Sequence, residues 1–209
     1  CPRCGTGLSD HELAQGYETV VDPSVYVRFP ITSGELAQLN ASLLVWTTTP
    51  WTLPSNTALT VGPKIEYVLV STFNQYTFEP INVVLAKNLV GKQFDKKFFA
   101  VENESDLRAF NEGDKTIPYF IIGECLGKDL AGIKYEQLLP YAQPYENVEK
   151  AFQIITGDFV TTEDGTGIVH TAPTFGADDA IAAKQATPEI PPLLVKDESD
   201  NLVPLVDLQ

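Results

Sequence analysis

The sequence predicts a mainly β domain of the α+β class, barrel-like and with short peripheral helices. Apolar stretches of roughly four to eight residues, rich in Val, Ile, Leu, Thr and aromatics, recur along the chain. Gly, Pro, Asn and Asp turns separate them at close spacing, the pattern of a barrel or sandwich. The helical stretches between them are short.

Taken in order, residues 17–31 alternate around Val20, Val25, Val27 and Phe29, which predicts extended chain broken by a turn at Asp22-Pro23. Residues 33–38 read as one helical turn before a strand over 41–47. Next, Trp46-Thr47-Thr48-Thr49-Pro50-Trp51-Thr52-Leu53-Pro54-Ser55-Asn56 sets a threonine run among two prolines and two indoles. Each proline pushes the residue before it into an extended conformation and removes a backbone donor, so a rigid, polar-lined turn is expected rather than a helix. Strands follow over 57–61 and 66–72, separated by Gly62-Pro63, and over 78–86, with 87–91 turning helically. Residues 96–114 are charged and read as a surface excursion carrying a short helix over 104–110. Strand composition returns at 119–123, and 127–142, with Leu130, Ile133, Leu138 and Leu139, is expected to wrap the outside. Residues 153–162 and 167–171 read as a hairpin turned at Glu163-Asp164-Gly165, an Asp-Gly signal. A helix should open near Asp178 and Asp179, after Gly176, and end at Pro188, Pro191 and Pro192. The last strand is expected over 193–196, before a turn at 197–201.

Composition narrows the function classes. A chain of 209 residues with 44% apolar and 20% charged residues fits one domain with a sizeable core and argues against disorder. No apolar run approaches bilayer-spanning length. The formal charge of −14 argues against a module that grips nucleic acid by itself, because phosphate contacts need clustered Lys and Arg. Three cysteines without framework spacing point to a reducing cytoplasm, and a chain lacking Met that starts at Cys1 reads as a piece of a longer protein.

Hydroxyls and free amides on a proline-stiffened loop suit a ligand with a polar head and an apolar tail, although the same composition describes a threonine-rich strand edge. A carboxylate in the first turn of a helix is held ionised by the dipole and exposed amides, so one of Asp178 and Asp179 can face a cation while the other caps. His170 lies in an apolar strand as a hydrogen-bonded structural residue, a pocket wall or a general base. Cys1 and Cys4 have C-x-x-C spacing, half of a structural zinc site; His11 is a possible third ligand and Cys125 is too isolated to assign. No phosphate loop, Ser-His-Asp order or HIGH or KMSKS-like signature is present.

The threonine stretch, paired with Gly165-Thr166-Gly167-Ile168-Val169-His170-Thr171-Ala172-Pro173 and the Gly176-Ala177-Asp178-Asp179 ending, resembles the editing domain of class I aminoacyl-tRNA synthetases. The isoleucyl type is the most similar, since valyl and leucyl relatives carry an acid in place of Trp51 and lack His at the position of His170. Cys1-Pro2-Arg3-Cys4-Gly5-Thr6, Leu8-Ser9 and Asp22-Pro23-Ser24-Val25-Tyr26-Val27-Arg28-Phe29 extend the resemblance to most of the chain. It implies hydrolysis of the ester of mischarged Val-tRNA(Ile) by a positioned water, and no aminoacylation. Thr48, His170 and Asp179 would be the catalytic set, with Asp179 on the α-ammonium group. Trp46, Thr47, Thr49, Trp51 and Asn56 would bind substrate. No cofactor is implied for editing; zinc in the full-length enzyme would be completed by a second C-x-x-C beyond this chain. Implied partners are the 3′ end of tRNA(Ile) carrying valine and the other synthetase domains, with no membrane and weak tRNA binding by the isolated domain. Residues 1–16 are read as a segment with the half zinc site and 17–209 as the editing domain. Rival readings are a free-standing deacylase and a non-catalytic β-barrel binding module.

Overall fold

Residues 23–205, together with Gly5, Gly7 and Ser9, are described by a computed structural model. In chain order the strands are β1 (Val25–Pro30), β2 (Ala41–Thr47), β3 (Ala58–Val61), β4 (Glu66–Phe73), β5 (Pro80–Ala86), β6 (Phe98–Ala100), β7 (Ile117–Leu126), β8 (Gln153–Thr156), β9 (Ile168–Thr171), β10 (Leu194–Lys196) and β11 (Leu202–Pro204). They form a six-stranded sheet ordered β1-β2-β5-β4-β7-β6, a three-stranded sheet β8-β3-β9 and the β10-β11 hairpin.

Side-chain alternation fixes how the layers meet. On β1, Phe29 is buried and Val25 and Val27 half-buried, whereas Tyr26, Arg28 and Pro30 point to solvent. Every residue of β3 is buried, as befits a strand paired on both edges and covered on both faces. The main core joins the two larger sheets through Phe29, Leu43, Val45, Leu59, Tyr67 and Ile154. The helix Ala177–Gln185 covers the opposite face of the small sheet, where Ala182, Ala183 and Ile190 pack on Ala58 and Ile155. Tyr67 ties the sheets together: its hydroxyl accepts from Gly62 N (2.9 Å) and donates to Gly167 O (2.6 Å), and burial pushes its pKa up to about 12.

Several expectations hold. Helices occupy Gly34–Gln38 and Ala177–Gln185, and helical turns occupy Lys87–Leu89 and Val90–Gln93. Others do not. The proline loop is a 3-10 helix, Pro50–Ser55, because Pro50 sits in its first turn, where the missing donor and fixed φ are harmless. The strands flanking Asp164-Gly165 are not a hairpin: β3 lies between them, parallel to β8 and antiparallel to β9, since the buried β3 needs both edges paired. Residues 127–142 do not merely wrap the outside, for Leu130 and Tyr135 are core. The short strand β6 arises in the stretch read as a surface excursion, and β11 follows the turn at 197–201, beyond the strand expected to be the last. Among the described residues no pairing joins β1 to β6, so the large sheet is open rather than a closed barrel. Cys1, Cys4, His11 and the chain around Tyr17 and Val20 lie outside the described residues.

Candidate functional site

The threonine run leaves the end of β2 beside β9, and residues 157–167 loop over the gap between them. This encloses a cavity of about 430 Å³ lined by Trp46, Thr47, Thr48, Thr49, His170 and Asp179, with Phe159, Glu163 and Gly165 on the loop side. The loop is pinned from below. Gln93 Nε2 donates to Gly165 O (2.7 Å), Asn88 Nδ2 to Thr162 Oγ1 (2.6 Å), Ala86 N to Thr166 O (2.9 Å), and Lys92 Nζ to Glu163 O. Gly165 has φ +74°, and a Cβ there would lie 2.7 Å from Cε3 of Trp46, so only glycine lets the indole sit against the loop.

On the strand side, Thr49 N donates to Thr47 Oγ1 (3.1 Å), which bends the run into a tight turn. Thr48 is exposed, and its hydroxyl has no partner among the described residues, leaving it available to the cavity.

His170 sits opposite Leu59 in the β3–β9 pair and is 6% exposed. Its hydrogen bonds form a directional chain. Asn56 Nδ2 donates to Ala58 O (2.8 Å), so the amide presents its nitrogen, not its oxygen, to His170 Nδ1 at 2.9 Å. Asn56 Oδ1 in turn accepts the Tyr135 hydroxyl at 2.7 Å. Nδ1 is therefore the acceptor and Nε2 carries the proton. Nε2 donates to Thr52 Oγ1 (3.0 Å), whose own proton goes to Thr49 O (2.9 Å). Burial lowers the imidazole pKa to about 4, the bond at Thr52 opposing that shift, so the ring is neutral at pH 7.

Asp179 projects from the first turn of the Ala177–Gln185 helix and accepts Ala172 N at 2.9 Å through Oδ2. Gly176 permits this approach, since a Cβ there would meet the carboxylate at 2.8 Å. Half-burial raises the Asp179 pKa, with Asp178 adding to the rise and the Ala172 amide opposing it. Desolvation by burial is the largest of these effects. Glu163 and Asp164 also line the cavity and no Lys or Arg does, so it favours a cation. Asp178 is exposed.

Of the residues singled out in the sequence, Trp46, Thr47, Thr48, Thr49, His170 and Asp179 meet at the cavity. Two do not line it. Asn56 is 2% exposed and lies behind His170, which makes it a positioning residue rather than a ligand contact. Trp51, in the 3-10 helix Pro50–Ser55, is 61% exposed and stands outside the cavity lining. Sequence reasoning missed Tyr135, Thr52 and the loop anchors Asn88 and Gln93. Thr52 stood within the motif, but Tyr135 and Gln93 carry no local signal. Among the described residues no group of three or more His, Cys, Asp or Glu side chains is disposed to hold a metal ion, and no helix is long and apolar enough to cross a membrane.

No family model matches the chain. The isoleucine–tRNA ligase of Cytophaga hutchinsonii is 55% identical over 208 residues, 99% of this chain and 18% of that protein. That of Bacteroides fragilis is 52% identical over 212 residues (99% and 18%), and that of Streptomyces coelicolor 44% over 210 residues (99% and 17%). The chain therefore spans 18% of the length of the first two relatives. Among solved structures, the editing domain of the P. knowlesi cytosolic leucyl-tRNA synthetase superposes with a TM-score of 0.52 at 14% identity, covering 79% of this chain and 63% of that one. Its P. falciparum counterpart gives 0.50 at 13% identity, covering 75% and 63%. With the sequence matched throughout by these ligases and the fold shared with editing domains, the chain belongs to the isoleucyl-tRNA synthetase family.

Proposed function

We propose that the chain is a post-transfer editing unit that hydrolyses the ester between valine and tRNA(Ile), in the cytoplasm and within a larger synthetase. The observation that carries this reading is Asp179, a half-buried carboxylate beside the threonine turn in a cavity with no lining cation. It suits an α-ammonium group, whose charge would offset the desolvation that now raises the Asp179 pKa. The ester carbonyl then lies between the carboxylate and the turn. Water adds to the carbonyl carbon, the bond to the ribose oxygen breaks, and the products are valine and free tRNA. Thr48 and the amides of the turn orient the water and ribose, so positioning and electrostatics supply the rate.

Such a second site is needed because one methylene, isoleucine against valine being the standard instance, is worth only about 1–3 kcal/mol of discrimination. His170, neutral and held by Asn56 and Thr52, is a wall that leaves room for valine but not isoleucine. Its nitrogens are both engaged, which favours wall over general base. Residues 17–209 form the hydrolytic unit. The segment 1–16 contributes two thiolates to a zinc site completed elsewhere in the enzyme and takes no part in hydrolysis.

The test is deacylation of Val-tRNA(Ile) and Ile-tRNA(Ile) by the chain and by Asp179→Asn. Selective hydrolysis of the valyl ester, lowered about 100-fold by the substitution, is expected, equivalent to about 3 kcal/mol. A protein that hydrolyses neither ester yet binds valyl-adenosine is a binding module, and the reading fails.

A further inference from the structure

The outer face of the large sheet carries a second concavity, of about 620 Å³, whose lining differs in chemistry from the rest of the molecule. Tyr26, Arg28, Phe73, Tyr76 and Lys92 line it, and no Asp or Glu does, although the chain as a whole has 28 acids and a charge of −14. Two of its rings are uncovered: Tyr26 is 53% and Tyr76 79% exposed, and neither stacks on another ring among the described residues. Arg28 is exposed and makes no ion pair among the described residues, whereas Lys92 is engaged with the loop, donating to Glu163 O and lying 3.6 Å from the exposed Asp164, so Arg28 is the groove's free cation among the described residues.

This groove runs into the cavity already described. Tyr26 is the register partner of Trp46, so the two side chains stand next to each other on one face of the sheet, with Arg28 one step further along that face. Gln93 bridges the two depressions, donating to Tyr26 Oη (3.3 Å) and to Gly165 O (2.7 Å). Open aromatic faces interleaved with cations, and free of acids, are the chemistry that holds single-stranded nucleic acid, by stacking of bases and neutralisation of phosphates.

We propose that this groove binds the unpaired nucleotides that precede the terminal aminoacyl-adenosine, with a base on Tyr26, a phosphate at Arg28 and a further base at Tyr76. The inference rests on the proposed hydrolysis for the direction of the strand, but not for the existence of the site. With one or two cations the groove adds modest affinity, in keeping with the acidic surface around it.

The probe is the trinucleotide CCA, uncharged with amino acid, titrated into the isotopically labelled chain and followed by amide chemical shifts, which report binding whether or not any ester is cleaved. Shifts are expected at residues 26–28, 73–76 and 92–94. Tyr26→Ala and Arg28→Ala should each weaken binding about tenfold. In Arg28→Ala the slope of log K against log salt should fall by about 0.7. In parallel, both variants should hydrolyse valyl-adenosine at the wild-type rate but lose about tenfold in kcat/KM on valyl-CCA. No shifts in the groove at millimolar trinucleotide, or equal losses on both esters, would overturn the proposal. Groove binding without hydrolysis of any ester would instead remove only the functional reading.

Discussion

At His170 the protein spends its polar contacts on holding a neutral ring, and this makes two behaviours predictable. Because the folded pKa (about 4) lies below the unfolded value of about 6.5, the unfolded chain takes up the proton first as pH falls. Stability is therefore fully present above pH 6.5 and is lost as pH falls from there towards 4, by about 3 kcal/mol. Denaturant titrations at pH 7.5 and 4.5 should show a smaller difference for His170→Asn than for wild type; an unchanged difference would mean that the ring titrates freely. As a wall rather than a base, His170 should leave the hydrolysis rate flat through pH 6.5, and His170→Ala should cleave Ile-tRNA(Ile) while retaining some activity on the valyl ester. Loss on both esters with no gain on isoleucine would restore the base. For the adjacent acids the expected order is steep: Asp179→Ala abolishes deacylation with the fold intact by circular dichroism, whereas Asp178→Ala, altering an exposed neighbour, is mild. Equal losses would contradict the geometry. Activity should also fall on acidification at a pH above the ordinary aspartate range, since burial raises the Asp179 pKa.

At the scale of elements, the site depends on a loop over residues 157–167 that has no regular structure except what the segment after β5 imposes on it. Gly165 is where the two meet Trp46. Gly165→Ala adds both a left-handed backbone strain of about 1–2 kcal/mol and a clash with the indole. Gly34→Ala, at φ +73° with nothing within 4 Å, adds only the strain. Urea unfolding should rank Gly165→Ala as the more damaging by about 1 kcal/mol or more, and only Gly165→Ala should weaken hydrolysis. Comparable losses in stability would show that the indole yields freely.

At the scale of the whole molecule, charge and chain length set what the domain does alone. A chain at −14 in which the groove just described carries few cations should bind tRNA weakly and with a shallow salt dependence, while still taking a valyl-adenosine analogue in the cavity. Gel-shift and calorimetric titrations at physiological salt check this, and submicromolar tRNA binding would contradict it. With only Cys1 and Cys4 of a four-ligand site, the purified chain should carry substoichiometric zinc and melt at a temperature indifferent to chelators; one equivalent lost together with stability would refute this.

The sequence by itself determined which segments are strands where the apolar runs are long, as at β2, β4 and β5, and it marked Thr47–Thr49, His170 and Asp179 as belonging together, through motifs that resemblance made readable. Local preference suffices there because alternation and turn residues act over a few neighbours. Only the tertiary structure decided the rest. Asp-Gly is a hairpin signal, yet β3 claims the edge that β8 and β9 would have shared, because burying all of β3 requires partners on both sides. Proline density argued against a helix that Pro50 in fact starts. Asn56 and Tyr135 are 79 residues apart, and nothing in either neighbourhood announces the hydrogen bond that turns Asn56 from a ligand contact into the support of His170. Such contacts are set by which sheets stack on which, a property of the folded chain and not of any window within it.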